Sequence, residues 1–245
     1  MNLNERIDEV NDALRLIQIT DGLTFGTDAL LLAGYIKGKY ENGAELGSGS
    51  GIISMLALTR GKVKRVRAFE VQERYADLTR RNAELNSLIE RLTVECADVR
   101  EVKRVGEFDL VFTNPPYMKT SSGFANLEDG KNIARHEVFG TIDELCASAS
   151  KMLKFGGTFA VVYRPDRLTD LICAMRAARL EPKRITFVHA RRGAQSSMVL
   201  IEAKMGGKSG DVLTRPLIIY DESGEYTADM NYIMENGSFP ADFSG

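Results

Sequence analysis

Short apolar runs alternate along this chain with longer stretches whose apolar positions recur at helical spacing, and that alternation predicts the elements. Runs at residues 44–47, 66–71, 92–96, 108–113, 157–163, 185–189 and 198–203 read as strands. Residues 52–60, 72–88, 141–153 and 168–179 carry the helical period between them. Strands separated by helices build a largely parallel sheet with helices on both faces, so the expected class is α/β with a mostly parallel seven-stranded sheet. Gly61 and Gly156-Gly157 stand where helices should stop.

The ends of the chain decorate this core. Residues 14–24 alternate well enough for a short hairpin, and Phe25-Gly26-Thr27-Asp28 leads into an apolar helix over 29–36. Beyond the last core strand, residues 216–220, the turn Asp221-Glu222-Ser223-Gly224 and Tyr226 predict a final hairpin packed on the body, with a frayed tail from about Gly237. With no repeat or low-complexity linker, the chain reads as one domain over 1–245. Residues 1–40 form an N-terminal hairpin and first helix, 41–205 the core, and 206–245 a C-terminal extension.

Composition narrows the setting. A chain of 245 residues with 44% hydrophobic content buries a full core. A net charge of −2 gives no global attraction to nucleic acid, so any RNA contact must come from a local patch. Cys96, Cys146 and Cys173 are odd in number and far apart, which points to a reducing interior without disulfides or a zinc site. The polar start (Asn2, Asn4, Glu5, Arg6, Asp8) and the lack of a long apolar run predict a cytoplasmic protein, with no signal peptide and no membrane span.

Chemistry concentrates at the ends of the predicted strands. Glu45-Leu46-Gly47-Ser48-Gly49-Ser50-Gly51 follows the first core strand and opens a helix, where glycines let backbone approach a ligand and the helix start offers unpaired donors. Glu70 ends the next strand, placed to accept hydrogen bonds from ribose hydroxyls. Asp98 follows the third and can receive an exocyclic amine of adenine, with Val71 and Val99 as apolar walls. Features at the carboxyl ends of successive strands converge on one crevice, which argues for a nucleoside-containing cofactor rather than unrelated solvated carboxylates. The Gly-x-Gly-x-Gly spacing differs from the dinucleotide fingerprint. S-adenosyl-L-methionine carries a nucleoside and a positive charge but no phosphate, and suits a pocket rimmed by Glu45, Glu70, Asp98 and Asp28.

Asn114-Pro115-Pro116-Tyr117 closes the fourth strand. Two prolines forbid its continuation as strand or helix, so the chain turns and presents an amide, a carbonyl and an aromatic face together. That set grips a planar NH2-bearing group. Asn114 and the Pro115 carbonyl would accept from the amine and raise its nucleophilicity, while Tyr117 would stack on the ring. The alternative is a stiffened loop capped by Asn114. The amine belongs to an adenine or to a glutamine side chain, and the motif alone leaves both open. A noncatalytic cofactor-binding module and, more distantly, a nicotinamide oxidoreductase are the other readings.

The glycine turn, the strand-end acids and Asn-Pro-Pro-Tyr together resemble the Rossmann-like class I S-adenosylmethionine-dependent methyltransferases. The whole chain resembles the bacterial tRNA1(Val) adenine-37 N6-methyltransferase family. The resemblance is carried by Gln18, by Phe25-Gly26-Thr27-Asp28-Ala29-Leu30-Leu31-Leu32, by Ile133-Ala134-Arg135-His136-Glu137, by Val188-His189-Ala190-Arg191-Arg192-Gly193 and by Pro216-Leu217-Ile218-Ile219-Tyr220-Asp221. It implies methylation of the adenosine beside the anticodon of a tRNA. It also implies that Thr27, Gly47, Gly49, Gly51, Glu70, Asp98 and Asn114 hold the cofactor. Protein-glutamine enzymes usually carry a helical domain ahead of the pocket, whereas only some forty residues precede it here.

An adenine in an anticodon loop must be turned out into the pocket. Candidate phosphate contacts are Lys119, Arg135, His136 and Arg191-Arg192. The five basic residues within 60–67 lie at a strand start, away from the crevice, and read equally as a solvated edge, as do Lys204 and Lys208. His136 and His189 are the only histidines and lack neighbouring ligands, so no metal is expected. Ser121-Ser122-Gly123 reads as a flexible lid.

Overall fold

The computed structural model describes residues 4–20, 25–115 and 140–243. Eleven strands and six helices are defined among them. The strands are β1 (Glu5–Asn11), β2 (Leu14–Ile19), β3 (Tyr40–Leu46), β4 (Val63–Glu70), β5 (Leu92–Cys96), β6 (Phe108–Thr113), β7 (Leu153–Tyr163), β8 (Leu180–Arg191), β9 (Ser196–Met205), β10 (Val212–Leu213) and β11 (Leu217–Tyr220). The helices are α1 (Thr27–Tyr35), α2 (Ile52–Thr59), α3 (Glu73–Leu85), α4 (Ile142–Met152), α5 (Leu168–Ala177) and α6 (Ala228–Asn236).

The main sheet runs β8-β9-β7-β6-β3-β4-β5, with β9 antiparallel to both neighbours and the other pairings parallel. These are the seven strands expected from the alternation. Two short additions, β10 and β11, pair parallel with β8, making nine. The helices α2, α3 and α4 lie in the crossovers that keep β3, β4, β5 and β7 parallel, a helix-free crossover returns the chain from β5 to β6, and the tight turn after Arg191 forces β9 back antiparallel. Chain order reverses at β3, whose neighbours are β4 and β6. A crevice opens at the carboxyl ends of such a pair.

One face of the sheet packs on α1, α2 and α6 through residues such as Leu31, Met55, Leu56 and Ile233. The other packs on α4 and α5 through Phe69, Phe159, Leu171 and Met175. Thr141 caps α4 with a reciprocal bond to Glu144, which fixes where that helix starts. Among the described residues, no helix is long and apolar enough to cross a membrane.

Three expectations at the ends are corrected. The N-terminal hairpin pairs 5–11 with 14–19, because β1 supplies the antiparallel partner that residues beyond Thr20 were expected to give. The final hairpin is instead the parallel strand β11, one antiparallel bridge between Tyr220 and Tyr226, and the helix α6 capped by Thr227. Nor is the tail frayed from Gly237: Phe243 is fully buried, edge-on to Phe239 and under the Arg215 guanidinium. An amphipathic single turn with one large apolar residue looks like tail in sequence because its partner surface is assembled from distant elements.

Candidate functional site

The crevice at the carboxyl ends of β3, β4, β5 and β6 is lined by Leu46, Gly47, Phe69, Val71, Ala97, Asp98, Val99, Thr113, Pro115 and Leu145. Register places Leu46 beside both Phe69 and Thr113, so three strand ends meet at one level. Thr113 Oγ1 donates to the Leu46 carbonyl at 2.8 Å and ties β6 to β3 at the floor.

The glycine-rich turn forms one wall. Gly47 and Gly49 have φ of +74° and +56°, and a Cβ on either would meet no protein atom within 4 Å. The backbone curls tightly there while facing open space, as a ligand cradle requires. Gly51 differs: a Cβ would lie 2.6 Å from Thr79 Cγ2, so its smallness seats α2 against α3. Behind the turn, Thr79 Oγ1 donates to the Gly49 carbonyl at 2.9 Å and Asn82 Nδ2 to the Ser50 carbonyl at 3.0 Å. Neither residue was singled out from sequence. Their signal is two polar side chains one turn apart on the buried stripe of α3, among Tyr75, Ala76 and Leu78.

The acidic residues divide by environment. Glu45, expected at the pocket rim, is only 1% exposed, and its Oε2 accepts from both the amide and the hydroxyl of Ser54. It therefore holds the first turn of α2. Burial pushes its carboxyl up to about 8, the Glu70 charge adds to the rise, and the Ser54 bonds oppose it. Glu70 is also buried, with Oε2 accepting from Gly49 N–H and Oε1 from Gln72 N–H, both at 3.0 Å. Burial raises its carboxyl and the backbone donors counter the rise. Each oxygen keeps acceptor capacity for a further donor. Asp98 stands between Ala97 and Val99 on the crevice wall, and the Arg100 guanidinium bonded to both its oxygens holds it below the usual carboxylate range.

Opposite this wall, Asn114 is half-buried and donates its side-chain N–H to Asp28 Oδ2 at 2.9 Å. Asp28 in turn accepts from Ala29 N–H at 2.9 Å in the first turn of α1. Half-buried Thr27 opens that helix beside it. Pro115 is buried and lines the crevice. Tyr117, Lys119, Ser121-Ser122-Gly123, Arg135 and His136 lie outside the described residues.

The basic stretch at 60–67 is partly buried and partly a solvated edge, with Lys64 and Arg65 exposed. Lys62 is buried and donates to the carbonyls of Gly34 and Ile36, while Arg67 pairs with Glu95, and Lys64 and Arg65 pair with Glu41. Chemically, the crevice offers an apolar slot between Val71 and Val99 with a carboxylate at its edge. It adds a second carboxylate beside an open glycine cradle, and an amide of fixed orientation across from both.

Comparison with known proteins agrees with this architecture. The sequence profile of the methyltransferase small domain family matches residues 20–170. A tRNA1(Val) (adenine(37)-N6)-methyltransferase of Phocaeicola vulgatus is 29% identical over 206 residues, covering 83% of this chain and 87% of that protein. Among solved structures, one described as a predicted O-methyltransferase from Agrobacterium tumefaciens superimposes with a TM-score of 0.71 at 24% identity, covering 87% of this chain and 98% of that one. TYW2 of M. jannaschii, in complex with AdoMet, superimposes with a TM-score of 0.59 at 14% identity, covering 83% and 87% of the two chains.

Proposed function

The chain belongs to the methyltransferase small domain family, and from that premise we propose that it uses S-adenosyl-L-methionine to methylate adenine N6 in a tRNA, at the adenosine beside the anticodon (position 37), in the cytoplasm. The substrate reading is supported by the tRNA1(Val) adenine(37)-N6-methyltransferase that matches over most of both chains.

The residues present fit the cofactor. Gly47 and Gly49 leave their side of the crevice open to its backbone-contacting part. Glu70 has acceptor capacity for the two ribose hydroxyls, and Asp98 with Val71 and Val99 would take the adenine. Asp28 reaches the site from α1 through its bond to Asn114, and Thr27 opens the same helix. Glu45 and Gly51 serve indirectly by seating the start of α2. When bound, S-adenosyl-L-methionine supplies an electrophilic methyl group.

The observation that carries the reading is the orientation of the Asn114 amide. A carboxylate only accepts, so the group facing Asp28 must be the NH2, and the amide oxygen is the end left for a ligand. An exocyclic amine donating to that oxygen, and to the Pro115 carbonyl, has its lone pair drawn out of the ring toward the incoming methyl. Both acceptors are preorganised and need little rearrangement as charge develops. Tyr117 is assigned on sequence grounds to stack on the base. The amine proton leaves to water after transfer.

The test is methyl transfer from labelled S-adenosyl-L-methionine into unmodified tRNA, followed by nucleoside mass spectrometry. N6-methyladenosine mapping beside an anticodon is expected. Label in protein that survives RNase would replace this reading with glutamine methylation.

A further inference from the structure

Thr113 lies beside Val161, Val161 beside Ile201 and Ile201 beside Ile185 in the sheet register. Arg191, at the end of β8, stands six positions past Ile185 in the same strand. The β8–β9 hairpin therefore projects roughly 20 Å beyond the row that ends at Asn114, and about 14 Å to one side across three strand spacings. Because β8 runs in the same sense as β6, the projection is on the side of the crevice and not the opposite edge.

The tip of that hairpin carries two adjacent arginines. Arg191 and Arg192 are exposed, and neither forms an ion pair with any described residue. Arg164 and Arg167, at the end of β7, are neutralised by Asp166 and Asp170. The turn next to the tip carries Asp221, Glu222 and Glu225. Asp221 accepts from the Ser223 and Glu225 N–H groups within its own turn, and Glu222 and Glu225 form no ion pair with either arginine. Arg191 lies across this turn, its Nη2 3.6 Å from where a Gly224 Cβ would stand.

An aromatic platform adjoins the arginines. Tyr220 pairs in register with Arg191, and its ring stacks on Tyr226 at 5.4 Å and 20°. Tyr226 remains 37% exposed. The tip is held rigid: His189 Nδ1–H donates to the Ala194 carbonyl at 2.7 Å, and Ser196 Oγ donates to the Val188 carbonyl at 3.0 Å.

We propose that this hairpin tip and the Tyr220–Tyr226 pair form a docking surface for RNA, with Arg191 and Arg192 on backbone phosphates and the tyrosine face against an unpaired base. The occupant is chosen by chemistry. Two exposed guanidinium forks free of ion pairs with described residues match phosphate oxygens, and stacked aromatic faces take bases without regard to sequence. A chain of net charge −2 has no global attraction for a polyanion, so the contact rests on these two forks and the tyrosine face. The inference rests on the RNA reading above.

The test uses the full chain and unmodified tRNA. The Arg191→Ala/Arg192→Ala double variant is expected to raise the tRNA Kd and KM at least tenfold. It should also reduce the slope of log affinity against log salt by about 1.4 to 1.8, one phosphate per arginine. The affinity for S-adenosyl-L-methionine should stay within twofold. Arg191→Lys/Arg192→Lys should restore the slope, which separates lost charge from a damaged fold. Tyr226→Ala should weaken tRNA binding severalfold with the slope intact. A double alanine variant with wild-type Kd and slope, in an enzyme that methylates tRNA, overturns the docking surface and leaves the reaction standing. A wild-type chain that binds no tRNA overturns both.

Discussion

Asp28 and Asn114 stand 86 positions apart in the chain and are joined by a 2.9 Å hydrogen bond from amide to carboxylate. The bond fixes which end of the Asn114 amide faces the crevice. Asp28→Ala would leave the amide free to rotate, so methyl transfer should fall about tenfold to a hundredfold. Cofactor affinity should change much less, and isothermal titration beside steady-state kinetics separates the two. A drop in affinity matching the drop in turnover would make Asp28 a cofactor ligand instead.

Asn114→Ala removes the acceptor itself. The expected loss in kcat is about a hundredfold to a thousandfold, the range for deleting one preorganised group at a developing charge. Binding of S-adenosyl-L-methionine should remain within about threefold. Equal losses in binding and turnover would assign Asn114 a structural role.

Glu70→Ala should act on the cofactor, since Glu70 bonds the Gly49 amide and faces the position assigned to ribose. The Kd for S-adenosyl-L-methionine should rise about tenfold or more, with a modest fall in thermal stability from the two orphaned N–H groups. Unchanged affinity would remove Glu70 from the site.

Glu45 predicts a pH effect on stability. Its folded carboxyl is raised to about 8, above its unfolded value, so the folded state holds the proton more tightly. The resulting contribution is fully present below the ordinary carboxylate range and is lost as pH rises through about 8. Between those limits its slope is at most about 1.4 kcal/mol per pH unit. Urea titrations from pH 5 to 8 should show stability falling less steeply in Glu45→Gln than in the parent. Parallel curves would mean that Glu45 does not carry the proton.

Glu202→Gln tests the buried pair beneath α1. Arg184 bonds Glu202 at 2.6 Å, with both side chains nearly inaccessible, and also donates to the carbonyls of Tyr35 and Phe243. Removing the carboxylate charge leaves the guanidinium buried without a counterion, at a cost of about 3–5 kcal/mol. The melting temperature should drop by roughly 10 °C. A fall under about 1 kcal/mol would show that the carbonyl acceptors alone suffice.

Much of the scaffold could be read without coordinates. Alternation of apolar runs and helical periods reports burial directly, so β3 to β9 and their helices were legible. The glycine turn and the strand-end positions of Glu70, Asp98 and Asn114 follow from the same alternation. The ends of the chain were less legible. β1 is largely exposed and carries little apolar signal, and α6 has only Met230 and Ile233 buried. Such elements draw their order from surfaces built elsewhere.

What the sequence determined by itself, then, is the class of fold and which residues sit at strand ends, because periodicity and turn chemistry are local properties. Only the tertiary structure decided the direction in which each of those side chains is used. Glu45 and Glu70 look alike as acids at strand ends, yet one faces Ser54 in the interior and the other bonds the glycine turn. Gly49 and Gly51 look alike in the motif, yet one faces open space and the other packs on Thr79. The Asn114 amide has no preferred end until Asp28 arrives from α1. Hydrogen bonds are short-ranged and directional, so which partner a polar group takes depends on elements brought together from distant parts of the chain.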